Sequence, residues 1–103
     1  MSVLVEFAMS PMDKGESLSK YVSRSIDIID KSGVTYQLTP MGSILEGDYA
    51  EVMAVIEKCY EKMNEDCTRI TCSIKMDIRK GKDGRLQQKI ASVEKVLGRG
   101  VKT

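Results

Sequence analysis

Residues 34–48 read "VTYQLTPMGSILEGD", and this stretch decides the fold because it holds two strands and the turn between them. The segment "VTYQL" is rich in β-forming residues. "TPMG" follows, with proline at the second place and glycine at the fourth, the preference of a type I turn. "SILE" then continues as the next strand. The stretch therefore predicts a β-hairpin at the centre of the chain.

On the N-terminal side of this hairpin the pattern predicts one strand and one helix. Apolar residues alternate at positions 3, 5, 7 and 9, a period of two that indicates a strand. From Glu16 the apolar residues recur at helical spacing as far as Ile29, and Gly33 suits the C-terminal cap. Either Ser17 or Asp13 is expected to cap the start of this helix.

On the C-terminal side the pattern predicts a helix, a strand and a last helix. Asp48 and Glu51 have the spacing of a capping pair before a long apolar stripe. Residues 68–79 alternate strictly, with Ile70, Cys72, Ile74, Met76 and Ile78 expected to face the core. Leu86, Ile90, Val93 and Leu97 mark the last helix, and residues 98–103 are expected to form a loose tail.

The element order β-α-β-β-α-β with an extra C-terminal helix predicts the α+β class. Two split βαβ units with right-handed crossovers give a ferredoxin-like sandwich. Its four-stranded antiparallel sheet has the strand order 4-1-3-2, with two helices on one face. A chain of 103 residues fits a single domain spanning positions 1–103.

Composition argues against several classes of function. Lys and Arg number 16 against 15 Asp and Glu, so no strong field attracts nucleic acid or an anionic membrane. No apolar run is long enough to span a bilayer, and the N-terminus makes a poor signal peptide. The 3 cysteines and 0 histidines disfavour a zinc site and every histidine-activated nucleophile. These features predict a cytoplasmic protein that is not an enzyme and carries no cofactor.

The face of the sheet away from the two predicted helices has an unusual composition. It carries Thr71, Ser73 and Lys75 on the last strand, and Leu4, Glu6 and Ala8 on the first. Small and apolar residues mixed with isolated charges suit a surface that closes on another copy. We therefore expect a homo-oligomer, a dimer or tetramer, formed through this open face, with a ligand site where sheet, hairpin and partner meet.

Glu46 interrupts the second strand of the hairpin and allows two interpretations. In one, it is a solvated carboxylate that supports the start of the following helix, where negative charge is favourable. In the other, it turns toward a pocket, with Ser43 and Tyr36 nearby on the hairpin. The residue types alone leave both open.

Four segments of the sequence resemble the small thiamine-binding proteins. They are "SPMDKGESLSKYV", "SGVTYQLTPMGSILEGDYAEVM", "IKMDIRKG" and "KIASV", and the likeness spans residues 3–97. The pattern "YxLxPMGSxxEGD" is the most specific part, and "SxYV" on the first helix agrees with it. The resemblance implies a ferredoxin-like oligomer that binds thiamine, or its hydroxymethylpyrimidine half, as carrier, buffer or sensor.

The resemblance also suggests roles for individual residues. A carboxylate at Glu46 would accept from the exocyclic amine of an aminopyrimidine and meet a protonated ring nitrogen. Tyr36 or Met41 would lie against the flat ring. Acidic groups would favour the thiazolium cation, and serine hydroxyls would add polar contacts. The candidate ligand-binding residues are Glu46, Tyr36, Ser43, Met41, Ser10, Ser19, Ser23 and Glu6.

Three other functions were weighed against ligand binding. An acylphosphatase-like enzyme requires an arginine in the loop after the first strand. In this chain that loop reads "SPMDKGES" and contains no arginine. An RNA-binding sheet stacks bases on aromatic residues, and the open face of the last strand has none. A structural oligomer with no small-molecule ligand remains the alternative, and a binding measurement separates it from a thiamine-binding protein.

Overall fold

The computed structural model describes residues 2–81 and 84–103. A central strand opens the chain, and the hairpin lies between the first two helices, as the sequence predicts. The elements are β1 (Ser2–Pro11), α1 (Ser19–Ser32), β2 (Thr35–Thr39), β3 (Gly42–Asp48), α2 (Tyr49–Asn64), β4 (Ile70–Ile78) and α3 (Arg85–Leu97).

The four strands form one antiparallel sheet in the order β2-β3-β1-β4. Read from the other edge, this is the predicted order 4-1-3-2, so the ferredoxin-like fold is confirmed. Val5 pairs with Leu45 on one side and Met76 on the other, whereas Leu4 pairs with Glu46 and Asp77. Because side chains alternate along a strand, these two rows lie on opposite faces of the sheet.

The hydrophobic core fills the space between one face of the sheet and helices α1 and α2. Four residues of β1 at positions 3, 5, 7 and 9 point into it, as their alternation predicts. Leu45 of β3 and Ile29 of α1 are fully buried beside them. The other core residues include Val52, Val55, Ile56, Cys59 and Met63 of α2.

Strand β4 is less buried than its alternating pattern predicts. Ile74 and Ile78 are exposed, and so is Cys72, although all three were expected in the core. These residues are exposed because β4 forms an edge of the sheet, and helices α1 and α2 cover this edge only in part. Ile70 and Met76 do pack against the core as partly buried residues.

Helix α3 lies on the opposite face of the sheet from α1 and α2. Its first residue, Arg85, is buried and donates to Glu46, while Lys89 in the next turn forms an ion pair with Asp77. The C-terminal half is exposed, and Val96 is 88% exposed. Beyond the helix, the backbone N–H of Val101 donates to the Glu94 carboxylate at 2.7 Å, so the segment expected to be a loose tail folds back onto α3.

The first helix starts without the predicted side-chain cap. Leu18 occupies the N-cap position, and its side chain makes no capping hydrogen bond. Asp13 instead holds the end of β1 to the segment before β4, because its carboxylate accepts hydrogen bonds from Thr68 and Arg69. Gly33 ends the helix in the left-handed conformation, as predicted.

Candidate functional site

A cleft lies on the helix side of the sheet. It opens between the N-terminal half of α1, the end of β1 and the hairpin that joins β2 to β3, and its volume is about 290 Å³. That volume is at the low end of the roughly 300–1,000 Å³ of small-molecule sites. Its lining includes Phe7, Met9, Ser10, Leu18, Val22, Ser25, Ile26, Leu38, Thr39, Met41, Gly42 and Ser43.

Two buried serines supply polar groups to this mainly apolar cleft. Ser25 of α1 is 5% exposed and Ser43 of β3 is 3% exposed. Within residues 2–81 and 84–103, neither side-chain hydroxyl makes a hydrogen bond. Neither oxygen is among the fully buried side-chain atoms of the described residues that have no partner, so both are open to the cleft, and a polar group entering it would find two donors or acceptors. Ser10 lines the rim of the cleft, beyond the last residue of β1 that pairs with β3.

Serines elsewhere in α1 behave differently from Ser25. The Ser23 hydroxyl donates to the carbonyl of Lys20 at 2.8 Å, and the Ser32 hydroxyl donates to the carbonyl of Ile29 at 2.6 Å. Such local bonds are common for serine in a helix. The hydroxyl of Ser25 makes no such bond to the described residues, although its carbonyl accepts from the thiol of Cys59. It is therefore available to the cleft.

The hairpin tip gives the cleft its outer wall. The Thr39 hydroxyl donates to the carbonyl of Gly42 at 2.8 Å and accepts from the backbone N–H of Met41 at 3.2 Å. Gly42 has a φ of +145°, and a Cβ placed there would lie 2.8 Å from the carbonyl oxygen of Phe7. Glycine thus lets the hairpin close onto β1. Met41 is 88% exposed at the rim, where a ligand could bury its flexible side chain.

The lining of the cleft carries no charged side chain in the part of the chain that the structure describes. Charged pairs lie outside it: Arg24 bonds to Asp66 at 3.0 Å and stacks on the ring of Tyr21, and this partner lowers the pKa of the Asp66 carboxyl. A neutral cleft with apolar walls and buried hydroxyls suits a small, flat, uncharged group with polar atoms on its edge.

Glu46 lies on the other face of the sheet. It pairs with Leu4 of β1 and Thr35 of β2, whereas Ser43 shares the face of Phe7. The residue is 8% exposed, and its carboxylate accepts a hydrogen bond from the backbone N–H of Arg85, with 2.5 Å between the two atoms. Glu46 therefore caps the start of α3, an alternative that neither interpretation of the sequence contained. Its predicted contact with a ligand would therefore need a site on this second face and not in the cleft.

Glu6 also lies on this second face, in a shallow depression of about 180 Å³. Lys75 pairs with Glu6 across the sheet, and Asp77 stands nearby between Arg85 and Lys89. Lys89 lowers the pKa of the Asp77 carboxyl by donating to it. The depression is lined by Leu4, Glu6, Ile44, Lys75, Asp77 and Lys89.

The remaining sequence candidates lie outside the lining of the cleft. Tyr36 is on the same face as Leu45, but its hydroxyl donates to the carboxylate of Asp30 at 2.7 Å, a bond that raises the pKa of the tyrosine. Ser19 and Ser23 are exposed on α1. The structure thus brings together Ser10, Met41 and Ser43 and separates them from the other five candidates.

Ser25 is the cleft residue that sequence reasoning missed. It stands on the apolar stripe of α1, three residues after Val22 and four before Ile29, so the helical pattern placed it in the core. A serine on an otherwise apolar stripe was the available signal. The structure places it in the lining of the cleft, beside the apolar residues of the same stripe.

Two further features of the described residues bear on function. No cluster of three or more cysteine, aspartate and glutamate side chains in residues 2–81 and 84–103 is arranged to hold a metal ion. Among the same residues, none of the helices has the length and apolar character needed to cross a membrane.

Comparison with known sequences gives a match over most of the chain. The profile of the family described as thiamine-binding protein matches residues 5–94. A UPF0045 protein of Mycobacterium bovis is 38% identical over 98 residues, covering 94% of this chain and 96% of that protein. A UPF0045 protein of Methanocaldococcus jannaschii is 31% identical over 91 residues, covering 88% of this chain and 91% of that protein.

Solved structures share the fold. A hypothetical protein of Methanocaldococcus jannaschii superposes with a TM-score of 0.83 at 30% identity, covering 89% of this chain and 95% of that one. A Thermotoga maritima protein, provisionally named for thiamine biosynthesis or salvage, gives a TM-score of 0.80 at 19% identity. The superposition covers 90% of this chain and 99% of that one. At that identity the second likeness shows the fold alone.

Proposed function

The chain belongs to the thiamine-binding protein family, and from that membership we propose that it binds thiamine, or the hydroxymethylpyrimidine half of thiamine, without converting it. The observation that carries the proposal is the neutral cleft with its two buried, unbonded hydroxyls among the described residues. An aminopyrimidine has ring nitrogens that accept and an exocyclic amine that donates. Serine hydroxyls complement both, since each can donate and accept.

Binding without conversion follows from the chemistry of the lining. The chain has 0 histidines, and the described residues that line the cleft include no acidic, basic or thiol side chain. A site that only binds suits a carrier, a buffer or a sensor. The three free cysteines suit a reducing compartment, so we place the protein in the cytoplasm within this proposal.

Self-association is the second part of the proposal. The exposed half of α3 carries Val93, Val96 and Leu97 on one side, next to the sheet face of Leu4 and Glu6. Exposed apolar residues on an ordered helix are typical of an interaction surface. We propose that a second copy covers them, which gives a dimer or tetramer built through this face. If ligand binding fails, an oligomer without a small-molecule ligand is the function that this surface favours.

Thermal unfolding tests the ligand. A molecule that binds only the native state raises the melting temperature with its concentration. We expect thiamine and hydroxymethylpyrimidine to raise it, and a Ser43→Ala variant, which removes the hydroxyl and adds no bulk to the buried position, to respond less. The absence of any shift at millimolar concentrations of either compound would contradict the proposal.

A further inference from the structure

We propose that the pyrimidine ring enters the cleft with its polar edge against the hydroxyls of Ser25 and Ser43, and that the thiazolium ring stays outside the mouth. This orientation rests on the proposed function and adds the part of the ligand that is recognised. It also assigns a specificity-determining role to Ser25, a residue that neither the motif of the hairpin nor the carboxylates of the chain would indicate.

The size of the cleft supports this orientation. A volume of about 290 Å³ is at the small end for ligand sites, and the described walls are apolar side chains from β1, α1 and β2. Two linked rings and a hydroxyethyl chain need more enclosed space than one substituted ring. Because the cleft opens between α1 and the hairpin, the half of thiamine that does not enter lies at the rim beside the exposed side chains of Met41 and Leu38.

Charge decides which half enters. The thiazolium ring is a permanent cation, and moving a charge into an apolar cleft is costly unless an opposite charge meets it. Among the described residues, the carboxylates of Glu6 and Glu46 lie across the sheet from the cleft, and no acidic residue lines it. The neutral aminopyrimidine has no such penalty, because hydroxyls satisfy its polar edge.

The position of Ser25 makes its hydroxyl a contact for the ring. It belongs to the middle of α1, is 5% exposed, and lines the cleft opposite the hairpin that carries Ser43. Ser23 and Ser32 of α1 donate their hydroxyls to carbonyls of the helix, at 2.8 Å and 2.6 Å. Ser32 does not line the cleft and provides a matched control, because Ser32→Ala removes the same atom from the same helix.

Titration calorimetry with three compounds tests the orientation: thiamine, hydroxymethylpyrimidine and hydroxyethylthiazolium. We expect the wild-type protein to bind the first two and not the third. Ser25→Ala should weaken binding of thiamine and hydroxymethylpyrimidine by the same factor, about three- to tenfold, as the loss of one hydrogen bond implies. Ser32→Ala should leave both affinities unchanged.

The outcomes separate this inference from the function it rests on. If the wild-type protein binds none of the three compounds, the proposed function is overturned and the orientation with it. If it binds thiamine and the thiazolium but not the pyrimidine, or if Ser25→Ala matches the wild type, only the orientation is overturned. The wild-type series is informative even if Ser25→Ala does not fold, and Ser43→Ala, expected to weaken both ligands equally, then serves as the second variant.

Discussion

The carboxylate of Glu46 accepts a hydrogen bond from the backbone N–H of Arg85, which joins the hairpin to the first residue of α3. The contact is buried, and the two residues that it joins are 39 positions apart in the chain. A carboxylate at the N-terminus of a helix also meets the positive end of the helix dipole. Glu46 is thus an anchor for α3 on the second face of the sheet.

We expect Glu46→Ala to lower stability and leave ligand affinity unchanged. Losing a buried hydrogen bond to a charged group costs about 1–3 kcal/mol, and each kcal/mol lowers the melting temperature of a domain of this size by about 4–8 °C. Glu46→Gln keeps an acceptor of the same size and should lose less. Circular dichroism measures the melting temperature, and titration calorimetry measures the ligand affinity. Lost binding at an unchanged melting temperature would instead make Glu46 a ligand contact.

The hydrogen bonds of the Asp13 carboxylate predict how the stability of the protein depends on pH. Hydrogen bonds from Thr68 lower the pKa of this carboxyl from 3.8 to about 2. A lowered pKa in the folded state means that the carboxylate stabilises the protein above the unfolded pKa and loses this effect as pH falls through about 2. Asp13→Ala should therefore melt below the wild type at pH 7, and the difference should shrink between about pH 4 and pH 2.

Glu16→Gln is the control for Asp13, because Glu16 is an exposed carboxylate in the same loop. It should leave the melting temperature close to that of the wild type at every pH. A gap between Asp13→Ala and the wild type that stays constant down to pH 2 would show that the carboxylate acts through its shape and not its charge.

Gly42→Ala should damage both the hairpin and the cleft. The added Cβ would meet the Phe7 carbonyl at 2.8 Å, in a backbone conformation with a φ of +145° that favours glycine. Gly15→Ala is the control, since Gly15 also has a positive φ but has open space around its Cβ position. We expect Gly15→Ala to cost about 1 kcal/mol and Gly42→Ala clearly more, measured by urea unfolding. Equal costs would mean that the hairpin does not close tightly on β1.

Val96→Lys should reduce self-association without unfolding the chain. Val96 is 88% exposed, so no core packing is lost. If a second copy covers α3, a buried lysine charge would weaken the interface. Light scattering should show the wild type as a dimer or tetramer at micromolar concentration and the variant as a smaller species. Lys95→Ala, a neighbouring exposed change, should leave the mass unchanged, and a monomeric wild type would contradict the proposed oligomer.

The fold was predictable from the sequence because its signals are local. The alternation at positions 3, 5, 7 and 9 gives the central strand, and "TPMG" gives the turn. What the pattern could not supply was the placement of α3, since the contact between Glu46 and Arg85 joins residues far apart in sequence. The exposure of Ile74 likewise depends on how far the helices reach over an edge strand.

The candidate site was predictable only in part. Ser43 and Glu46 are three residues apart on one strand, and an odd separation places them on opposite faces, so the period of two already separated them. Ser25 was hidden because a helix stripe is interpreted as core, and only the three-dimensional packing shows that a cleft reaches it. Ser10 and Met41 were named for their side chains, a hydroxyl and a flexible thioether, and both residues line the cleft.

The most direct test of the central claim is an NMR titration of the uniformly ¹⁵N-labelled protein with thiamine. The account predicts saturable shifts of the backbone amides of residues 22–29 and 38–43, which surround the cleft. Amides near Glu6 and Glu46 on the second face should change little. No shifts at millimolar thiamine, or saturable shifts confined to the Glu6 and Glu46 face, would contradict the account.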